Sequence, residues 1–406
     1  MRIIQVNKFL HPQGGADKYF LTLTSELATL GHEVIPFGMA DDRNIKSPWS
    51  KYFSQNIDYH QKGNLFKKSS RLIWNKEAAT QFAKLLDEAK PDLIHCHNIY
   101  HQLSPSILVE AKKRNIPVVM TLHDYKLICP NYLLFSHGQI CERCVGHTPW
   151  HCLSHNCYNS YSRSGLAALE SWLHNKVWHV YRDNIDLFIA PSQFLKSKMI
   201  SGDFPENKIT VLENPTPTLD FSQESGQKLL YFGRLFPEKG VDTLIEALKD
   251  TDEQLDIVGT GPEEAPLKEL VTKLQLTDQV TFHGGKQGAE LYSFIKQAKA
   301  VIVPSKWYEN MSLVLLESLA QGKLIIASDL GGNPELIEEG KTGWLFSAGD
   351  IAALASKIKN LNTVTPEQII TIQNNIKEKI EPLNLKYHLK RLEDLYQNLI
   401  NKKENR

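Results

Sequence analysis

Short apolar runs alternate with helical patterns along the whole chain. In the first half the runs are Ile3–Val6, Glu33–Phe37, Leu93–Cys96, Val118–Leu122 and Leu187–Ala190. Each is strand-sized, and between them Lys18–Leu30, Thr80–Glu88 and Ser106–Arg114 carry helical spacing. This alternation predicts βαβ units and a parallel sheet. The second half repeats the theme at Lys228–Phe232, Gln254–Val258, Val280–Phe282, Ala300–Val303 and Leu324–Ala327. Two doubly wound α/β domains of similar size are therefore expected. Their join falls near Asn214-Pro215-Thr216-Pro217-Thr218, where prolines interrupt regular structure. Glu381-Pro382 precedes a last amphipathic helix, about Tyr387–Asn401. No internal repeat beyond this shared theme and no low-complexity segment is evident.

Composition sharpens the picture only modestly. The chain has 406 residues, 42% of them apolar, enough for ordinary globular cores. Formal net charge is zero, so there is no global pull toward nucleic acid. Residues 1–215 carry 24 Lys and Arg against 19 Asp and Glu. That basic bias suits an anionic acceptor or membrane surface, and ordinary scatter explains it equally well. No stretch is long and apolar enough to span a bilayer. The first residues read as a strand and not as a signal peptide, which leads to an expected cytoplasmic location and reduced cysteines.

The candidate chemistry begins at Glu309 and Glu317, eight residues apart around the start of an apolar helix. The strand before it, Ala300-Val301-Ile302-Val303-Pro304, aims that helix start at the carboxyl end of a sheet, where open α/β sheets bind ligands. A separation of slightly over two turns predicts that both carboxylates can face one ligand. The backbone N–H groups of Asn310, Met311 and Ser312 would meet a sugar or phosphate there. About seventy residues earlier, Leu229-Leu230-Tyr231-Phe232-Gly233-Arg234 reads as a strand running into a Gly-bearing turn, with Lys239 close behind. Arg234 can bond a phosphate bidentately, and Lys239 can act on it as a point charge. Gly259-Thr260-Gly261 and Gln13-Gly14-Gly15-Ala16 both fail the G-x-G-x-x-G pattern, so a nicotinamide enzyme fits poorly. Gly14 and Gly15 still suit a turn where backbone approaches a ligand.

Three segments in order carry a family resemblance: Gly233-Arg234-Leu235…Pro237-Glu238-Lys239-Gly240, Glu309-x7-Glu317, and Ser328-Asp329-Leu330-Gly331-Gly332-Asn333-Pro334-Glu335. The chain resembles the retaining glycosyltransferases of GT-B fold, specifically glycosyltransferase family 4. The resemblance covers nearly the whole chain and is strongest over residues 228–346. It implies two Rossmann-like domains facing across a cleft. The first, 1–215, would bind the acceptor and take back a C-terminal helix, about 385–406. The second, 216–384, would bind a UDP- or GDP-sugar donor.

The resemblance also implies residue roles. Arg234 and Lys239 would hold the diphosphate and stabilise it as it leaves. Glu317 would accept from ribose hydroxyls, and Glu309 would contact the transferred sugar. Backbone at Gly233, Gly261 and Leu313 would line the donor site, beside Asn310, Met311 and Ser312. In the first domain, Gly14 and Gly15 would lie at the cleft and His123 would contact the donor sugar near the reacting carbon, with Asp124 as a weaker companion. Transfer would retain the α configuration and need no catalytic metal.

Five of six cysteines fall in one inserted segment, about 129–165. Cys141, Cys144, Cys152 and Cys157 could hold a structural zinc, with His147, His151 and His155 as further ligands. Free thiols and disulfides are the alternatives, and Cys96 reads as core. The insert is a candidate wall for the acceptor. Asp250-Thr251-Asp252 has the letters of a metal-binding D-x-D, yet reads as a solvated turn. Lys67, Lys68, Arg71 and Lys76 around Leu72-Ile73-Trp74 could rest on anionic lipid beside a lipid-linked acceptor, or form a solvated helix face.

The function expected is sugar transfer to a glycan or lipid-linked acceptor in bacterial surface polysaccharide assembly. An epimerase or phosphorylase of the same fold, and an inactive nucleotide-sugar-binding subunit, are the rivals.

Overall fold

The computed structural model describes residues 1–56, 70–224 and 226–405. The strands are β1 (Arg2–Val6), β2 (Glu33–Phe37), β3 (Leu93–Cys96), β4 (Val118–Thr121), a small hairpin of β5 (Phe135–Ser136) and β6 (Gln139–Ile140), then β7 (Leu187–Ala190) and β8 (Ile209–Val211). After these come β9 (Lys228–Phe232), β10 (Leu255–Val258), β11 (Val280–Phe282), β12 (Ala298–Val303), β13 (Leu324–Ser328) and β14 (Trp344–Phe346).

One six-stranded parallel sheet has the order β2-β1-β3-β4-β7-β8, and the other β11-β10-β9-β12-β13-β14. Each order reverses direction once, between β1 and β3 in the first sheet and between β9 and β12 in the second. Those reversals are the topological switch points, where a crevice opens outside the carboxyl ends of the strands. The central strands are buried throughout, as helix-covered parallel sheets require.

Contacts divide the chain into two compact units. The first is Met1–Leu134, Glu142–Leu212 and Leu389–Arg406; the second is Phe135–Cys141 and Glu213–His388.

In the first unit, helix Gly15–Thr29 buries Phe20, Leu23 and Leu27 along one stripe and ends at Gly31, whose φ of 87° turns the chain left-handed. It starts three residues before the sequence reading placed it, because the Gly-Gly pair looks like loop and serves as N-cap and first turn. Helix Lys76–Ala89 starts earlier than Thr80 because Asn75 caps it, its side chain accepting from the Ala78 N–H at 3.1 Å. The last helix, Leu385–Glu404, buries Leu389, Leu392 and Tyr396, and within the first unit Glu393 meets His32 at 2.7 Å and Lys403 meets Asp186 at 3.0 Å.

In the second unit one apolar core runs from Leu229 through Ile376. β8 and β14, each three residues at a sheet edge, went unread in the sequence because they are too short to show a period.

Candidate active site

The site in the second unit is built at the β9/β12 switch point. After β9 the chain turns at Gly233 and passes Arg234 to Lys239; after β12 it runs from Pro304 to the helix Leu313–Ala320. The two loops interlock. The Lys306 N–H donates to the Glu238 carbonyl at 2.9 Å, and a Cβ on Gly240 (φ 67°) would sit 2.0 Å from the Pro304 oxygen. Only glycine permits that approach. Gly259 and Gly261 are required likewise, since a Cβ on either would lie 1.8 Å from the Gly233 oxygen or 2.1 Å from the Leu235 oxygen.

Glu309 is the hub of this site. Its Oε1 accepts from Lys239 Nζ at 2.7 Å, Ser305 Oγ at 2.7 Å and Trp307 Nε1 at 3.0 Å. Lys239 Nζ also lies 4.9 Å from the centre of the Trp307 ring. Burial pushes the Glu309 carboxyl up, but the Lys239 charge and the three donors outweigh it and hold the group below its ordinary value. Behind Glu309, the Gly332 N–H donates to its carbonyl at 2.7 Å. Gly331 (φ 66°) leaves no room for a Cβ, which would fall 2.4 Å from the same oxygen. The Ser328–Glu335 segment of the resemblance is thus the buttress of the Glu309 loop.

Arg234 differs from Lys239. Its side chain is 58% exposed, packs over the Phe236 ring at 4.9 Å, and reaches Glu238 only at 3.8 Å. The Tyr231 hydroxyl donates to the Arg234 carbonyl at 2.8 Å and pins the turn beneath it. Arg234 is therefore free to swing onto a ligand, whereas Lys239 is held.

The helix after Glu309 begins only at Leu313, with Ser312 as its cap accepting from the Leu315 N–H. Glu309 is four residues outside it, so the two-turn argument for Glu309 and Glu317 sharing a helical face does not hold. Glu317 does lie on the helix, half-buried; the Tyr292 phenol is raised mainly by burial, with a smaller push from the Glu317 charge. Met311 is buried, its sulfur accepting from the Asn214 N–H at 3.1 Å. The N–H groups of the first helical turn, from Leu313 on, have no carbonyl four residues back within the helix.

In the first unit, the β1/β3 switch point gathers Gly14, His97 and His123. Gly14 caps its helix at φ −159°, a conformation open to any residue, and a Cβ there would meet nothing within 4 Å. The fold does not need glycine at that position; the space above it is empty. His123, two residues past β4, is half-buried, with its Nε2 3.0 Å from His97 Nδ1 and its ring edge-on to Tyr19. Burial, reinforced by Lys8, pushes its imidazole down to about 3, so it is neutral at pH 7. Asp124 accepts from the Lys126 N–H, and burial pushes its carboxyl up. An open depression of about 710 Å³ beyond β2, with Asp41, Arg43 and Asn44 on its wall, contains none of the predicted residues. Asn44 steadies the β1 loop through the Leu10 N–H at 2.9 Å.

None of the six cysteines is in a disulfide. Cys152 hydrogen-bonds with Cys157 and lies within electrostatic reach of Cys144 and Cys129. Cys129, outside the predicted zinc set, thus joins three of its members. Among the described residues no group of three or more His, Cys, Asp or Glu is arranged to hold a metal. A buried ion pair, Lys126 Nζ to Glu170 at 2.8 Å, joins the residues that flank the insert, and Lys126 also donates to the Pro130 carbonyl within it. Of the basic segment, Lys67 and Lys68 lie outside the described residues, while Trp74 packs edge-on against Trp178. No helix among the described residues is long and apolar enough to cross a membrane.

Ser305, Trp307 and His97 were missed by sequence reasoning. Ser305 and Trp307 recur with Glu309 at a spacing of two, a faint signal; nothing in the sequence connects His97 with His123.

Residues 13–218 match the family described as Glycosyltransferase Family 4, and residues 220–378 match Glycosyl transferases group 1. A glycogen synthase of Mycobacterium tuberculosis is 33% identical, over 89% of this chain and 86% of its own length. The putative colanic acid biosynthesis glycosyltransferase WcaL of Escherichia coli is 26% identical over 48% of this chain and 52% of its own. Among solved structures, Anabaena Alr3699/HepE in complex with UDP superposes with a TM-score of 0.70 at 19% identity, covering 98% of this chain and 100% of that one. With its two parallel sheets, its Gly-buttressed Glu309 loop and these matches over nearly all its length, the chain belongs to glycosyltransferase family 4 and has the GT-B fold.

Proposed function

We propose that this glycosyltransferase takes its sugar from a nucleotide diphosphate donor, UDP- or GDP-linked, and passes it with retained α configuration to a glycan or lipid-linked acceptor in surface polysaccharide assembly. One observation carries the reading: Lys239, at the β9/β12 switch point, is fixed by Glu309 and Trp307 rather than left to solvent. A cation held in place beforehand stabilises charge as it develops and costs no reorganisation. Lys239 commits one of its three N–H groups to Glu309, leaving the others for the diphosphate. Arg234 adds a mobile fork for phosphate oxygens.

The donor's ribose is assigned to Glu317, and its pyrophosphate to the first-turn N–H groups from Leu313 on. The transferred sugar is assigned to Glu309, with backbone at Gly233, Gly261, Asn310, Met311 and Ser312 lining the donor. In the reaction the bond from the anomeric carbon to the diphosphate oxygen breaks, and the acceptor hydroxyl oxygen bonds to that carbon. The hydroxyl proton passes to the departing diphosphate. Glu309 is a poor covalent nucleophile, since three donors already occupy one oxygen, which favours attack from the face the diphosphate leaves. Lys239, Arg234 and the helix N-terminus supply the positive charge that a metal provides elsewhere, so the chemistry needs none. The UDP complex of HepE and the colanic acid assignment of WcaL support the donor and pathway classes.

Incubation with UDP- and GDP-sugars without acceptor tests the core of this. Slow release of one nucleotide, abolished in Lys239→Ala, is expected. No release from any donor would contradict it.

A further inference from the structure

Four of the chain's seven tryptophans meet in the first unit. Trp150 packs against Trp172 with ring centres 6.2 Å apart, and Trp74 lies edge-on to Trp178 at 5.5 Å. The two pairs are joined by the helix Tyr161–Trp172 and the wide turn Leu173–Val177 that continues it. In that turn the Trp178 N–H donates to the Leu173 carbonyl, five residues back, at 2.8 Å. Five positions along an α-helix would carry Val177 about 140° from Trp172. The wider turn brings it back toward that side. His174 Nε2 donates to the Ile73 carbonyl at 2.7 Å, which moors the Trp74 segment alongside.

This cluster is not core. Trp150, Trp172, Val177 and Trp178 are each 37–44% exposed. Apolar groups left together at a surface mark an interaction site. The charge around them is mostly of one sign. From Arg143 to Arg182 the chain carries Arg143, Arg163, Lys176 and Arg182 against a single acid, Glu170, which is buried on Lys126. Arg71 and Lys76 flank Trp74. Asp203 is the acid that Lys176 meets, at 2.9 Å.

An aromatic, cationic surface short of carboxylates suits the headgroup layer of an anionic bilayer. Indole rings settle at that depth, and Lys and Arg meet the lipid phosphates. A glycan would instead call for carboxylate or amide acceptors for its hydroxyls. A second copy of the chain would set these cations against themselves across a two-fold axis.

We propose that this tryptophan face docks on an anionic lipid surface, with Trp172, Val177 and Trp178 entering the headgroup layer and Arg71, Lys76 and Lys176 meeting lipid phosphates. The proposal is independent of the donor site, which belongs to the second unit.

The test is flotation of the full chain with vesicles of phosphatidylcholine alone or mixed with phosphatidylglycerol. Binding to the mixed vesicles only, weakened by salt, is expected. Trp172→Glu and Val177→Glu each place a carboxylate on the face and should weaken binding about tenfold or more. Lys176→Gln should weaken it about fivefold and covers the case in which the Glu variants fail to fold. Ile370→Glu, at an exposed apolar position of the second unit, should leave it unchanged. No binding to either vesicle, equal binding to both, or binding indifferent to all three face variants would overturn the proposal. Self-association without vesicle binding, abolished by Val177→Glu, would overturn it in favour of a second copy as the occupant.

Discussion

Glu309 Oε1 collects an ammonium, a hydroxyl and an indole N–H in a buried loop. Removing one partner of such a buried pair strands the other, at a cost of about 3–5 kcal/mol when nothing compensates. Ser305 and Trp307 still serve Glu309 in Lys239→Ala, so a loss below that range is expected in denaturant unfolding. The same variant should lose about 10²–10³ in kcat, typical of removing a preorganised electrostatic donor. The sign with pH follows from the depressed Glu309 value. The carboxylate's contribution is complete above the ordinary carboxylate range, about pH 4, and is lost as pH falls through the lower native value. The stability gap between wild type and Glu309→Gln should therefore stay constant from pH 7 to 5 and close only below that. A gap that closes near neutrality would contradict the ion-pair account.

Among the elements, the residues of the proposed site lie mostly on loops, and the strands aim them. Gly331→Ala should cost about 1–2 kcal/mol for its left-handed backbone alone, more once its Cβ displaces the Glu309 loop, and it should weaken donor binding. Gly14→Ala offers the reverse case, because the fold leaves space for a Cβ there. Its melting temperature should match the wild type, while a raised KM would show that a substrate approaches that backbone. An unchanged KM would remove Gly14 from the site. Most strand positions and both loop positions were legible in sequence because buried parallel strands are continuous apolar runs. The helix start at Leu313 was not, since an apolar run shows no difference between Met311, which is loop, and Leu315, which is helix. The pairing of Lys239 with Glu309 was hidden too: both were assigned separately to a ligand, and only the fold brings positions seventy residues apart within 2.7 Å. The thiol cluster was legible as a cluster but not in its membership, because the turns between Cys129 and Cys157 decide which sulfurs meet.

For the whole molecule, each of two similar sheets presents its own switch point, one built around Arg234 and Lys239 and one around neutral histidines. The histidine side also loses stability on acidification, but starting at a higher pH than the Glu309 pair. His123 is held near 3 in the native chain, while the unfolded chain takes up a proton near 6.5. Its contribution is thus intact above about pH 6.5 and erodes as pH falls from there toward 3. Unfolding followed at the first unit should show that decline, and His123→Phe should flatten it. The measurement that bears most directly on the central claim is calorimetric titration with UDP, GDP and ADP, in EDTA, of wild type beside Lys239→Ala. Binding of UDP or GDP without metal, lost or weakened at least tenfold in the variant, is the predicted result. No binding by any of the three, or binding indifferent to Lys239, would contradict a diphosphate site at the β9/β12 switch point.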